Sequence, residues 1–171
     1  MKKLYVVGNK ASKSLSPTIF NYWFKKYNIK ASYGYLELTE KNFHNKIKDV
    51  LEKKDTLGLN VTIPFKNKIM KHLGKIDAHA KKIGAVNCVT NKKTINGTNT
   101  DWTGYYKTLP KIKKTKNRKV IILGYGGASH AIHYVLKKRG FKDILIFNRS
   151  KKKIKYSKNA EYTKKYSCLL Y

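Results

Sequence analysis

The sequence predicts an α/β protein in two parts: an N-terminal α/β domain over residues 1–110 and the beginning of a second α/β domain over residues 111–171. Three observations carry this. Short apolar runs alternate with stretches whose apolar residues recur at helical spacing, which is the layering of α/β folds. The run Val120-Ile121-Ile122-Leu123, of the kind that fills a parallel sheet, leads directly into a glycine-rich turn and another helical stretch. Between the two parts lies KIKKTKNRK, residues 111–119, with six basic residues and no carboxylate, a solvated linker or surface turn that places the boundary near residue 110.

Taken in order, Leu4-Tyr5-Val6-Val7 reads as a short buried strand, and a polar loop then runs to Ser16-Pro17. Serine before proline opens a helix over residues 17–27, since proline at the first helical position gives up an N–H that has no intrahelical partner there. Tyr33 to Leu38 predicts a second strand. Thr39 and Glu40 open a lysine-rich helix in which Phe43, Ile47, Val50 and Leu51 form the apolar stripe. Leu57 to Ile63 is the third strand, and two short helical stretches end near Leu73 and Ile83. Ala85 to Val89 and Thr94 to Asn96 are extended around the turn Asn91-Lys92-Lys93. After Ser150 the apolar pattern fades.

Composition narrows the function. Lys+Arg of 39 against Asp+Glu of 9 leaves a formal charge of +30, which raises a basic nucleic-acid-binding module as one reading. Only Arg118, Arg139 and Arg149 are arginines, and base or phosphate recognition recruits planar arginine forks, so nucleic acid is not the expected partner. Cys88 and Cys168 are too few and too far apart for a disulfide framework or a metal knuckle, and no histidine pair has ligand spacing with a cysteine, so no metal is expected. The apolar stretch after Met1-Lys2-Lys3 stops at Gly8, too short for a signal-peptide core, and no run approaches membrane-spanning length. The expectation is a cytoplasmic protein with a small-molecule substrate and no membrane partner.

The glycine-rich turn is Gly124-Tyr125-Gly126-Gly127-Ala128, followed by Ile132, Val135 and Leu136 at helical spacing. Strand, tight turn and helix form the context of a Rossmann-like dinucleotide fingerprint: glycines let the backbone approach a pyrophosphate, and the positive end of the helix meets its charge. Ser129 stands where the third glycine of the usual pattern would be. The next strand, Ile144 to Phe147, ends at Asn148-Arg149-Ser150. A cation and hydroxyl at that strand end suit a 2′-phosphate, so NADP is preferred over NAD, which stays open.

The stretch NVTIPFK, residues 60–66, supplies an amide, a hydroxyl and an ammonium from Asn60, Thr62 and Lys66. In a strand Asn60 and Thr62 share a face, and Pro64 ends the strand. Ser14 and Ser16 follow the first strand, Asn87 lies in Gly84-Ala85-Val86-Asn87, and Asn99-Thr100-Asp101 follows Gly97. Hydroxyls, amides and one Lys/Asp pair are the groups that bind a small polyhydroxy carboxylate.

Together these motifs, with Gly104, resemble the shikimate dehydrogenases, NADP-dependent enzymes of aromatic amino-acid biosynthesis, over about Leu4 to Ser150. The resemblance implies that Ser14 and Ser16 bind the substrate carboxylate and that Asn60, Thr62, Asn87 and Asp101 bind ring hydroxyls. It implies a catalytic pair of Lys66 and Asp101. It also implies a pyrophosphate site at Gly124, Gly126, Gly127 and Ala128, with Asn148, Arg149 and Ser150 facing the 2′-phosphate. Residues 1–110 would then be the substrate-binding domain and 111–171 the start of the NADP-binding one. Lys13, Cys88 and Trp102 depart from the family's usual histidine, threonine and small residue, and Tyr125 is bulkier than usual, so its ring must turn away from the phosphates. The family continues with further strands and a C-terminal helix that this sequence lacks. The expected alternatives are therefore a non-catalytic remnant that binds shikimate, a chain awaiting a complementing partner, and a quinate/shikimate dehydrogenase.

Overall fold

The computed structural model describes residues 1–110 and 117–148. By packing, the chain divides into two compact units, residues 1–100 and 101–171.

In the first unit β1 (Lys2–Gly8) leads through a 3-10 turn at Ala11–Lys13 into α1 (Ser16–Lys26), β2 (Ala31–Glu37), α2 (Phe43–Leu51) and β3 (Thr56–Val61). A second 3-10 turn, Lys68–His72, precedes β4 (Lys75–Ile76), α3 (Ala78–Ile83), β5 (Cys88–Asn91) and β6 (Ile95–Thr98). The six strands form one mixed sheet in the order β2-β1-β3-β5-β6-β4. β1 pairs in parallel with β2 and β3, the pairing that helical crossovers permit, while the β5–β6 hairpin adds antiparallel to β3.

Alternation along β1 divides the core between the sheet's two faces. Leu4 and Val6 pack with Tyr33 and with Phe20 and Phe24 of α1. Tyr5 and Val7 belong to the larger cluster with Phe43, Ile47, Val50 and Leu51, the four residues of the α2 stripe. Phe65 is fully buried there and stacks on Phe43 with ring centroids 4.2 Å apart. Its neighbour Lys66 is thus anchored through a core side chain.

Strand and helix positions match the sequence reading within a few residues, with physical reasons for the differences. β3 stops at Val61 instead of reaching Ile63, because Thr62 N–H to Val7 O at 2.8 Å is the last rung to β1 and Phe65 N–H then closes a turn on Thr62 O at 2.9 Å. Ala85 to Asn87 lie outside β5, with Val86 N–H donating to Lys66 O instead of a strand neighbour. β4 has only two residues, too few for a periodicity to register.

The second unit comprises α4 (Asp101–Thr108), β7 (Lys119–Leu123), α5 (Gly127–Lys138) and β8 (Asp143–Phe147). β7 and β8 pair in parallel, with α5 as the crossover. Ile122, Tyr125, Leu136, Phe141, Ile144 and Ile146 form its core, and Tyr105 and Leu109 pack against it. Alternate residues Ile121 and Leu123 are exposed. The Arg139 guanidinium lies 4.0 Å from the Tyr106 ring centroid and donates to the carbonyls of Tyr106, at 3.1 Å, and Leu109, at 3.4 Å. These contacts place α4 with the second unit, whereas the sequence boundary falls at the basic run near residue 110. No helix among the described residues is long and apolar enough to cross a membrane.

Phe65→Ala removes a fully buried ring stacked on another, so it is expected to lower first-unit stability by about 3–5 kcal/mol in urea unfolding. A loss below about 1 kcal/mol would show that the core does not depend on this ring.

Candidate functional site

β1, β3 and β6 run in one direction and β5 in the other. The carboxyl ends of the first three and the start of β5 therefore meet at one end of the sheet, where ligands collect in open α/β folds. Ser14 and Ser16 follow β1, Asn60 to Lys66 run off β3, Asn87 precedes β5, and Thr100 follows β6. Topology brings together all the sequence-predicted substrate residues of the first unit. Asp101 is the first residue of α4 and belongs to the second unit.

Backbone bonds fix this end. Val61 N–H donates to Asn87 O at 2.8 Å, and Val86 N–H to Lys66 O at 2.7 Å, so the 60–66 and 84–87 stretches are joined at both ends. Asn9 N–H donates to Ile63 O at 3.1 Å. A Cβ on Gly8 would sit 2.5 Å from Thr62 Cγ2 and 3.2 Å from the Ile63 carbonyl oxygen, so only glycine lets the serine loop leave β1 so close to the turn.

Ser14, Ser16, Asn60, Thr62, Lys66 and Asn87 are all half-buried, the state of groups that can meet both the protein and a ligand. Ser14 Oγ accepts the Ser16 N–H at 3.2 Å at the start of α1. Asn87 holds Thr100 from both ends of its amide: Oδ1 accepts Thr100 N–H at 2.8 Å and Nδ2 donates to Thr100 Oγ1 at 3.0 Å. Asn99 is 2% exposed and donates to Ala85 O, a structural role. Sequence reasoning gave Thr100 no role and did not find Tyr33, whose hydroxyl donates to Asn60 Oδ1 at 2.6 Å. Its signal, a tyrosine inside an apolar strand, is one that most core tyrosines share.

In the second unit Gly124 has φ of +87°, the left-handed conformation that favours glycine, and its N–H donates to Phe147 O at 2.7 Å. Tyr125 N–H donates to Asn148 Oδ1 at 3.1 Å, so Asn148 ties the glycine loop to the end of β8. The Tyr125 ring is buried in the core, and its hydroxyl lies 3.2 Å from Nδ1 of the buried His133. The bulky loop residue points inward. A Cβ on Gly124 or Gly126 would meet nothing within 4 Å, so the space over the loop is open. Gly127 and Ala128 stand in the first turn of α5, where helix amides are of the kind that can meet a phosphate. Arg149 and Ser150, predicted for the 2′-phosphate, lie outside the described residues. Among the described residues no group of three or more His, Cys, Asp or Glu could hold a metal ion.

A mixed sheet with hydroxyls and amides gathered at one end, followed by a strand, glycine loop, helix and parallel strand, has the architecture of the nucleotide-dependent α/β dehydrogenases. Residues 6–89 match the family profile of the shikimate dehydrogenase substrate binding domain, and the chain is similar to shikimate dehydrogenases beyond that stretch. It is 36% identical over 148 residues to the shikimate dehydrogenase (NADP(+)) of Thermotoga maritima, covering 86% of this chain and 55% of that one. With the enzyme of Pelagibacter ubique it shares 38% over 161 residues, covering 90% and 58%. The crystal structure of the Thermotoga maritima enzyme superposes with a TM-score of 0.76 at 36% identity, covering 86% of this chain and 55% of that chain. The Thermus thermophilus enzyme, solved in complex with NADP(H) and shikimate, gives 0.73 at 26% identity over 88% and 57%. The chain thus spans about half the length of the relatives it matches.

Burial, with Lys137 and His130 adding, pulls the His133 pKa down to about 4. An unfolded histidine titrates near 6.5, so the unfolded state binds more protons between these values. Second-unit stability should therefore be whole above pH 6.5 and decline by about 3 kcal/mol as pH falls to about 4. His133→Phe should remove that decline in thermal unfolding followed against pH. Identical wild-type and variant profiles would contradict it.

Proposed function

We propose that the chain acts as a shikimate dehydrogenase, catalysing the reversible NADPH-dependent reduction of 3-dehydroshikimate to shikimate in the cytoplasm. The observation that carries this reading is the half-buried ring of Ser14, Ser16, Asn60, Thr62, Lys66 and Asn87 at one end of the sheet, inside a family-matched stretch. Residues 1–110 serve the substrate and residues 111–171 open the NADP-binding part. Ser14 and Ser16 hold the carboxylate, and Asn60, Thr62, Asn87 and Asp101 hold ring hydroxyls.

NADPH supplies the hydride. As the substrate carbonyl becomes an alcohol its oxygen gains negative charge, which the Lys66 ammonium stabilises and neutralises by giving up a proton. Asp101 is the second member of the catalytic pair. Gly124, Gly126, Gly127 and Ala128 border the pyrophosphate, and Asn148, Arg149 and Ser150 face the 2′-phosphate.

Because the chain spans about half the length of its relatives, a second reading is that it binds shikimate and is completed by another chain. The test is NADPH oxidation by the purified chain with 3-dehydroshikimate, beside shikimate binding by calorimetry. Lys66→Ala is expected to lower turnover by about 10²–10⁴-fold while shikimate affinity changes only a few-fold. Normal turnover in the variant would overturn the role of Lys66. Shikimate binding without wild-type turnover would favour the second reading, and absence of both would overturn the functional assignment.

A further inference from the structure

Tyr33 is on β2, and β1 lies between it and β3. Register puts Tyr33 opposite Leu4, Leu4 opposite Gly58 and Val6 opposite Asn60. Residues two apart share a face, so Tyr33, Val6 and Asn60 lie on the same side of the sheet. Two strand spacings, about 10 Å, separate β2 from β3, a gap that a short hydroxyl side chain could not bridge. The Tyr33 phenol crosses β1 and donates to Asn60 Oδ1 at 2.6 Å.

The ring is held on every side. Phe20 stacks on it with centroids 4.6 Å apart and planes 9° from parallel. The Asn21 side chain clasps its backbone, with Oδ1 accepting Tyr33 N–H at 2.9 Å and Nδ2 donating to Tyr33 O at 2.8 Å. Tyr33 is 3% exposed. Burial pushes its pKa up to about 12, with Cys88 adding and a hydrogen bond with Ser16 opposing, so the phenol keeps its proton at any working pH. An amide oxygen can only accept, so the phenol proton is committed to Asn60.

We propose that Tyr33 is a positioning residue of the substrate site, one that fixes the Asn60 amide with its oxygen turned inward and its NH2 group offered to the ligand. This rests on the functional reading above. Its chemical consequence concerns the two forms of the substrate. A ketone and an alcohol both present oxygen lone pairs to an N–H donor, whereas an amide oxygen would accept only from the alcohol. A fixed donor at Asn60 therefore serves both directions of the reaction.

Tyr33→Phe keeps the ring and its stack and removes only the hydroxyl. In the full chain it is expected to weaken shikimate binding about tenfold by calorimetry. In an Asn60→Ala background the same substitution should have no further effect, since there is no amide left to orient. In the ligand-free protein, the Asn60 side-chain NH2 resonances should shift in Tyr33→Phe while the thermal midpoint changes little. Wild-type affinity in Tyr33→Phe, additive losses in the double variant, or unmoved Asn60 resonances would each overturn the inference and leave the functional reading standing. A wild-type chain that does not bind shikimate would overturn that reading, and with it the ligand-facing role of Asn60.

Discussion

Two backbone hydrogen bonds, Val61 N–H to Asn87 O and Val86 N–H to Lys66 O, hold the site end of the first unit together. Val61 is the last residue of β3 and Asn87 stands just before β5, so the first bond carries their pairing one residue further and the second lies beyond both strands. Beyond the last rung of a sheet, backbone groups usually turn to water, and the chain gains freedom that a binding site cannot tolerate. Here the rungs continue in irregular form. Phe65, buried on the opposite side of the turn from solvent, supplies the weight that keeps them closed. Asn60, Lys66 and Asn87 inherit their positions from these constraints, and their own side-chain bonds only refine them.

The glycine loop follows the same logic with different parts. Gly124 N–H and Tyr125 N–H are both taken up at the end of β8, one by the Phe147 carbonyl and one by the Asn148 side chain. Tyr125 then plugs the core beneath the loop and meets His133. A bulky residue in a phosphate-binding turn would ordinarily obstruct it. Turned inward, it anchors the turn from below and leaves the glycine edge open. Tyr33 and Tyr125 thus do related work in separate units: each is a buried phenol whose polar end is spent on orienting a neighbour.

Much of this was legible in the sequence because it depends on local chemistry. The α2 stripe of Phe43, Ile47, Val50 and Leu51 is buried as its spacing requires, and Val120 to Leu123 forms a parallel strand before the glycine turn. The polar residues after β1 and β3 and before β5 converge because topology sends those chain ends to one edge. What escaped was long-range. α4, DWTGYYKT, buries no residue fully and has no apolar stripe; its place in the second unit depends on Arg139 caging Tyr106 and capping the carbonyls of its end. Tyr33 escaped for a similar reason. Its partner Asn60 is 27 residues away and lies beyond an intervening strand, a relation that no periodicity encodes.

The charge of +30 acts on all of this from outside. Among the described residues the ion pairs, such as Lys3 with Asp55 and Lys68 with Glu40, are at the surface, where each contributes little. Most lysines have no carboxylate to meet, since carboxylates number only nine. Self-repulsion then weighs against the compact state, and the potential around the molecule draws small anions toward it. A ligand with a carboxylate, or a cofactor with phosphates, relieves part of that repulsion on binding, so its net effect includes more than its direct contacts. Salt relieves the same repulsion by screening, within about 10 Å at 0.1 M. Binding of an anionic ligand to this chain and its stability are therefore coupled through one electrostatic term, and raising the salt moves them in opposite directions: the fold gains as the ligand loses.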